Sequence, residues 1–115
     1  MADQNFSMHS GDSKAIAFTI YTTDGTTAVD ISTATAITWS MATAPNVTAA
    51  VTKTLAAGTI AVSGDSNNIA TVTLAATDTA SLKGLYYHEL QVTDSASLVY
   101  TAASGWVVIE EDLIT

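Results

Sequence analysis

Cysteine is absent from the 115-residue chain, and with it any disulfide framework, thiol nucleophile or cysteine zinc site. Arginine is absent too, so the cations are Lys14, Lys53 and Lys83, set against eight Asp and three Glu for a net charge of −8. A binder of bare nucleic acid needs a Lys/Arg patch to displace counterions, and a peripheral membrane protein needs a similar basic face. Three scattered lysines supply neither, so no nucleic-acid or membrane partner is expected. No run of 18 apolar residues occurs, which excludes a membrane-spanning helix. Met1 to Ser10 has neither the basic nor the apolar region of a secretion signal, so folding in a cytoplasm is expected. Proline occurs once and glycine six times, and no glycine-rich phosphate loop can be found.

The chain is instead built of small, uncharged side chains: 20 Ala, 20 Thr and 11 Ser. Hydrophobic residues make up 48%, too many and too evenly spread for a disordered acidic chain. They alternate with a period of two. Ile16, Phe18 and Ile20 share one face; Ile37, Trp39 and Met41 another; then Ala70, Val72 and Leu74; then Tyr86, His88, Leu90 and Val92. Val29 and Ile31 suggest a short strand, Lys53 between Val51 and Leu55 an edge strand, and Trp106 to Glu110 the last strand. Asp24-Gly25, Ala44-Pro45-Asn46, Gly64 to Asn68 and Asp94 to Ser97 punctuate these runs as turns. One segment breaks the pattern. Thr77 to Lys83 reads as a helical turn, with Thr77 or Asp78 as N-cap and Gly84 as the stop. The expected fold is all-β: an antiparallel immunoglobulin-like β-sandwich of seven to nine short strands with one helical turn near 77–83. The expected organisation is an N-terminal arm over 1–12, one domain over 13–110 and a C-terminal tail over 111–115.

Convergent catalytic groups are scarce. His9, Ser10 and Asp12 are close in sequence, but triad members converge from separate elements, so their adjacency does not make a catalytic site. His88 falls on an inward face without a second His or Cys at ligand spacing, which suits a hydrogen-bonded core histidine. Asp65-Ser66-Asn67-Asn68 lacks the glycine and the bidentate glutamate of a calcium loop and reads as a turn. Glu110, Glu111 and Asp112 suit a solvated strand end. No enzyme activity, cofactor or metal is expected. Trp39 suits a buried core position, Tyr86 and Tyr87 must face opposite ways, and Trp106 shares a face with Val108 against Val107 and Ile109. A strand apolar on both faces is buried between layers or covered by a partner. Flat aromatics on a sandwich would also suit a carbohydrate-binding module, the more remote alternative.

Two stretches carry a family resemblance. Ser10-Gly11-Asp12-Ser13, leading into Lys14 to Ile20, resembles the opening of a family of small phage virion domains, as do the Asp24-Gly25 turn and the Val29-Asp30-Ile31-Ser32 step. Thr77 to Asp94 is similar to the same family's helical turn, Tyr-rich strand and following turn, with His88 where an aromatic is usual. The family is the immunoglobulin-like domain similar to the N-terminal region of phage baseplate upper proteins, and the resemblance runs from about Ser10 to Ile109. It implies a non-enzymatic structural protein of a bacteriophage virion that docks on other virion proteins (major capsid or tail subunits), with homo-oligomers possible. Because no receptor-binding or fibre segment follows Thr115, a capsid decoration or accessory role is the expectation. Baseplate, tail-fibre or head–tail attachment is the alternative. The expected interface comprises Phe6 and Met8 in the arm, Trp106, and Leu113 and Ile114 in the tail, all apolar residues in or near polar segments.

Overall fold

The computed structural model describes residues 2–3, 5–21, 27–44 and 47–111. Its strands are β1 (Ala2–Asp3), β2 (Phe6–His9), β3 (Lys14–Thr19), β4 (Ala36–Ala42), β5 (Val51–Thr54), β6 (Ile60–Ser63), β7 (Ile69–Leu74), β8 (Gly84–Thr93) and β9 (Val99–Glu110), with one helical turn, α1 (Ala76–Thr79). They form two sheets. The larger runs β1-β9-β8-β4-β5, with β2 also pairing β9, and the smaller runs β3-β7-β6. The chain is therefore all-β, as its alternation requires.

The alternation translates directly into burial. Ile16 and Phe18 in β3, Ile37, Trp39 and Met41 in β4, Ala70, Val72 and Leu74 in β7, and Tyr86, His88, Leu90 and Val92 in β8 all point inward. With Val107 and Ile109 of β9 they belong to one core. Removing each large apolar side chain from water is worth about 1.5–3 kcal/mol, which is what holds a disulfide-free domain of this size. The outward positions of β4 and β8 are Thr38, Ser40 and Ala42, and Leu85, Tyr87, Glu89 and Gln91.

Several elements differ from expectation. Phe6 to His9 form a strand, not a free arm: β2 runs parallel to β9 from Phe6↔Val107 to His9↔Glu110, and Ser10 N–H continues the pairing to Glu110 O at 2.8 Å. Between β1 and β2 the Asn5 Oδ1 accepts the Trp106 N–H at 2.9 Å, so a side chain replaces the missing ladder bond. Val29 and Ile31 form no strand. A single antiparallel bridge joins Tyr21 and Ala28, and Ile31 is buried in a loop whose N–H binds Asn67 O at 2.9 Å. The last strand, expected over Trp106 to Glu110, already begins at Val99 as β9, because a β-bulge opposite Leu90/Gln91 lets pairing with β8 continue. The Asp24-Gly25 turn and Pro45-Asn46 lie outside the described residues.

The helical turn is where expected but is built differently. Ala75 is the N-cap and Asp78 stands at the third helical position, accepting the Ala75 N–H at 2.7 Å. α1 ends at Thr79, well before Gly84, whose φ of 101° opens β8 instead. Thr79 is fully buried because its Oγ1 accepts the Gly11 N–H at 3.1 Å, tying α1 to the turn that leads from β2 to β3.

Lys53 sits on β5, the edge of the larger sheet, as its place between Val51 and Leu55 predicts. Its Nζ lies 2.7 Å from Asp78 Oδ2, a partly buried pair that joins the edge strand to α1. Burial pushes the Asp78 carboxyl up, but the hydrogen bonds from Lys53 and the Ala75 N–H, with the Lys53 charge, outweigh it and hold it below its ordinary 3.8. A depressed folded-state value stabilises fully above the unfolded value and is lost as pH falls through the folded one. Asp78→Asn is therefore expected to lower the urea midpoint at neutral pH and to converge on the parent protein below pH 3.8. Equal midpoints at neutral pH would show that the pair adds nothing to stability.

Candidate functional site

The outer face of the larger sheet carries the most distinctive surface. Register places Tyr87 of β8 opposite Trp106 of β9, and Leu85 opposite Val108. Leu85 (48% exposed), Tyr87 (45%) and Trp106 (46%) are all open to solvent, with Val108 partly covered beside them. Directly paired positions stand about 5 Å apart at Cβ, so these four residues form one apolar stripe across the β8–β9 ladder. An isolated exposed apolar residue requires no explanation, whereas contiguous exposed apolar groups rich in aromatics are the kind of surface at which proteins interact.

Trp106 owes its exposure to the bulge. Counting by twos from half-buried Tyr100 would send Ala102, Ser104 and Trp106 inward together. Leu90 instead pairs with Ala103 and Gln91 with Thr101, which leaves Ala102 as the extra residue. Ala102 and Ala103 are both buried, and the phase inverts beyond them: Val107 and Ile109 turn inward and Trp106 outward. Alanine suits this point because two consecutive inward side chains must fit where one normally does.

Beside the stripe, over β4 and β8, lies a groove of about 370 Å³. Thr38, Ser40 and Ala42 of β4 stand opposite Gln91, Glu89 and Tyr87 of β8, and Ala44, Val47 and Ala49 also line it. Thr101 Oγ1 donates to Glu89 Oε1 at 3.2 Å, steadying the carboxylate, and Ser40 Oγ and Thr52 Oγ1 are 3.3 Å apart. No lysine lines the groove.

The remaining candidates separate cleanly. Met8 is a core residue, only 6% exposed, so it is not displayed to a partner; Met8→Ala is a core truncation, not a surface change. Phe6 is half-buried, its ring 5.3 Å from that of His88 and under the Lys14 Nζ at 5.9 Å. Deleting residues 1–8 would strip the paired strand β2 from β9 and Met8 from the core, so it would perturb folding as well as any docking. Leu113 and Ile114 lie outside the described residues. Alternation puts Tyr87 on the face opposite Tyr86 and His88, but nothing in it singles out Tyr87 or Leu85 as candidates, because Trp106 has no settled direction in the sequence.

The residues capable of chemistry are dispersed. His9 is exposed and its Nε2 lies 3.5 Å from Glu110 Oε2, on the outer strand edge. His88 is buried, its Nδ1 accepting the Trp39 Nε1–H at 3.2 Å, with Phe6, Phe18 and Trp39 rings within 5.8 Å. Asn67 takes φ 52° in the turn it closes on Gly64 O. Among the described residues, no three His, Asp or Glu side chains gather as ligands for a metal ion. No protein-family model matches the sequence, and no curated protein is similar to it.

Proposed function

We propose that this chain is a non-enzymatic structural domain of a bacteriophage virion, an immunoglobulin-like β-sandwich that docks on other virion subunits as a capsid decoration or accessory protein. The sheet order supports the fold part of this reading. A three-strand sheet β3-β7-β6 faces a sheet in which β9, β8, β4 and β5 are neighbours and β2 runs parallel to the last strand. Naming β3 to β9 as B, C, C′, D, E, F and G in turn, after the strand they resemble, requires β4 as C, β5 as C′ and β8 as F, and B, E and D then share one sheet as in immunoglobulin-type sandwiches. Trp39 on the C-like strand is the buried tryptophan such cores contain.

The observation that carries the docking part is the apolar stripe of Leu85, Tyr87 and Trp106 on an otherwise Thr- and Ser-rich surface. Tryptophan and tyrosine are the side chains whose burial at a protein interface contributes most. An acidic outer surface with few cations leaves the particle exterior without affinity for DNA. The setting rests on the sequence resemblance, and quantitative mass spectrometry of separated phage heads and tails tests it. Many copies accompanying the heads is the expected result. A few copies with the tails would replace the capsid role by baseplate, fibre or head–tail attachment, and absence from both would end the virion reading.

A further inference from the structure

We propose that the groove over β4 and β8 is a binding site for an uncharged carbohydrate, adjoining the apolar docking stripe on its β9 side and sharing Tyr87 with it. Its size, about 370 Å³, lies in the range of small-ligand sites (roughly 300–1,000 Å³) and suits a mono- or disaccharide. Small side chains make the hollow: Ser40 and Ala42 on β4, and Ala44 and Ala49 beyond it. Around that floor stand the groups a sugar needs. The Tyr87 ring, 45% exposed, and Val47 offer apolar surface to the C–H face of a pyranose. Gln91 brings two donors and an acceptor, Glu89 acceptors only, and Thr38 and Ser40 hydroxyls that do both, matching hydroxyls that donate and accept at once. Glu89 is already oriented by the Thr101 hydroxyl at 3.2 Å.

Charge decides between occupants. With Glu89 in the wall, no lysine in the lining and −8 on the chain, a phosphate, sulfate or sialic acid would meet repulsion with nothing to offset it. A second copy of this chain laid face to face would confront Glu89 with Glu89, again without a cation. A flat apolar protein surface would dry out Thr38, Ser40 and Gln91 without replacing their hydrogen bonds to water, which costs free energy for each. A neutral, hydroxyl-rich ligand satisfies all of these groups.

The test is the purified chain on an array of neutral, sialylated and sulfated glycans, followed by calorimetric titration of the best hit. Neutral glycans are expected to bind, and Tyr87→Ala and Gln91→Ala are each expected to weaken binding about tenfold or more, near 1.4 kcal/mol. Both residues are exposed, so the variants should melt like the parent, and Leu98→Ala, at the β8–β9 turn and outside the groove lining, should leave affinity unchanged. No neutral hit, hits confined to anionic glycans, or binding that survives both substitutions would overturn the site. None of these outcomes depends on where the protein resides in a particle, so this site and the virion reading fail separately.

Discussion

Trp39→Ala is expected to remove a large part of the protein's stability. Trp39 is fully buried on β4, between Lys53 of β5 and Leu90 of β8. Large-to-small truncation of a buried tryptophan costs about 3–5 kcal/mol, out of the 5–15 kcal/mol that typically separates folded from unfolded domains. The loss does not stop at the cavity. The indole Nε1–H is the donor to His88 Nδ1 at 3.2 Å, a buried hydrogen bond that the substitution would remove. Phe6 from β2 and Phe18 from β3 pack on the same imidazole, with centroids 5.3 and 5.7 Å away. One aromatic cluster thus joins the N-terminal strand, the smaller sheet and the centre of the larger one. Trp39→Phe separates the two contributions, since it keeps a ring but removes the N–H, and should cost about 1–3 kcal/mol while remaining folded. Urea denaturation followed by far-UV circular dichroism measures both variants. A Trp39→Phe protein as stable as the parent would show that the indole–imidazole bond contributes nothing net.

Trp106→Ala is expected to do the opposite: large loss of docking, small loss of stability. A central interface tryptophan commonly contributes about 2 kcal/mol or more, roughly thirtyfold in affinity, whereas a surface substitution shifts stability by less than about 1 kcal/mol. Leu85→Ser, on the same stripe, should behave in the same way but more weakly. The measurement is co-sedimentation of the purified variants with particles lacking the protein, alongside melting curves. Full binding by both variants would move the docking surface off this face. Met8→Ala is the useful contrast, because a buried methionine costs about 2–5 kcal/mol of stability when truncated. It should weaken docking only as far as it unfolds the domain.

How much of this was legible in the sequence follows from what alternation can and cannot encode. The inward residues of β3, β4, β7 and β8 were readable because a strand buried on one face must repeat every second residue, and those four runs contain no irregularity. His88 was readable as a core histidine for the same reason, although its partner was not, since Trp39 lies 49 residues away. The edge position of Lys53 was readable from its charge, but the pairing with Asp78 depends on where α1 packs. The segment Phe6 to His9 gave only a weak signal: four residues, two of them polar, carry too little alternation to announce a strand, and parallel pairing with β9 joins the two ends of the chain.

Composition and period two therefore specified an all-β domain without disulfides and named most of its core. The candidate site was decided elsewhere. Val107, Ile109, Trp106 and Val108 are apolar on both faces, so no periodicity within β9 can say which pair turns outward. The bulge at Ala102 makes that choice by shifting register against β8, and it does so only in the assembled sheet, where Leu90 takes Ala103 as partner and Gln91 takes Thr101. That one-residue offset sends Val107 and Ile109 into the core and leaves Trp106 beside Tyr87 in solvent, because in a strand a shift of one residue exchanges the two faces.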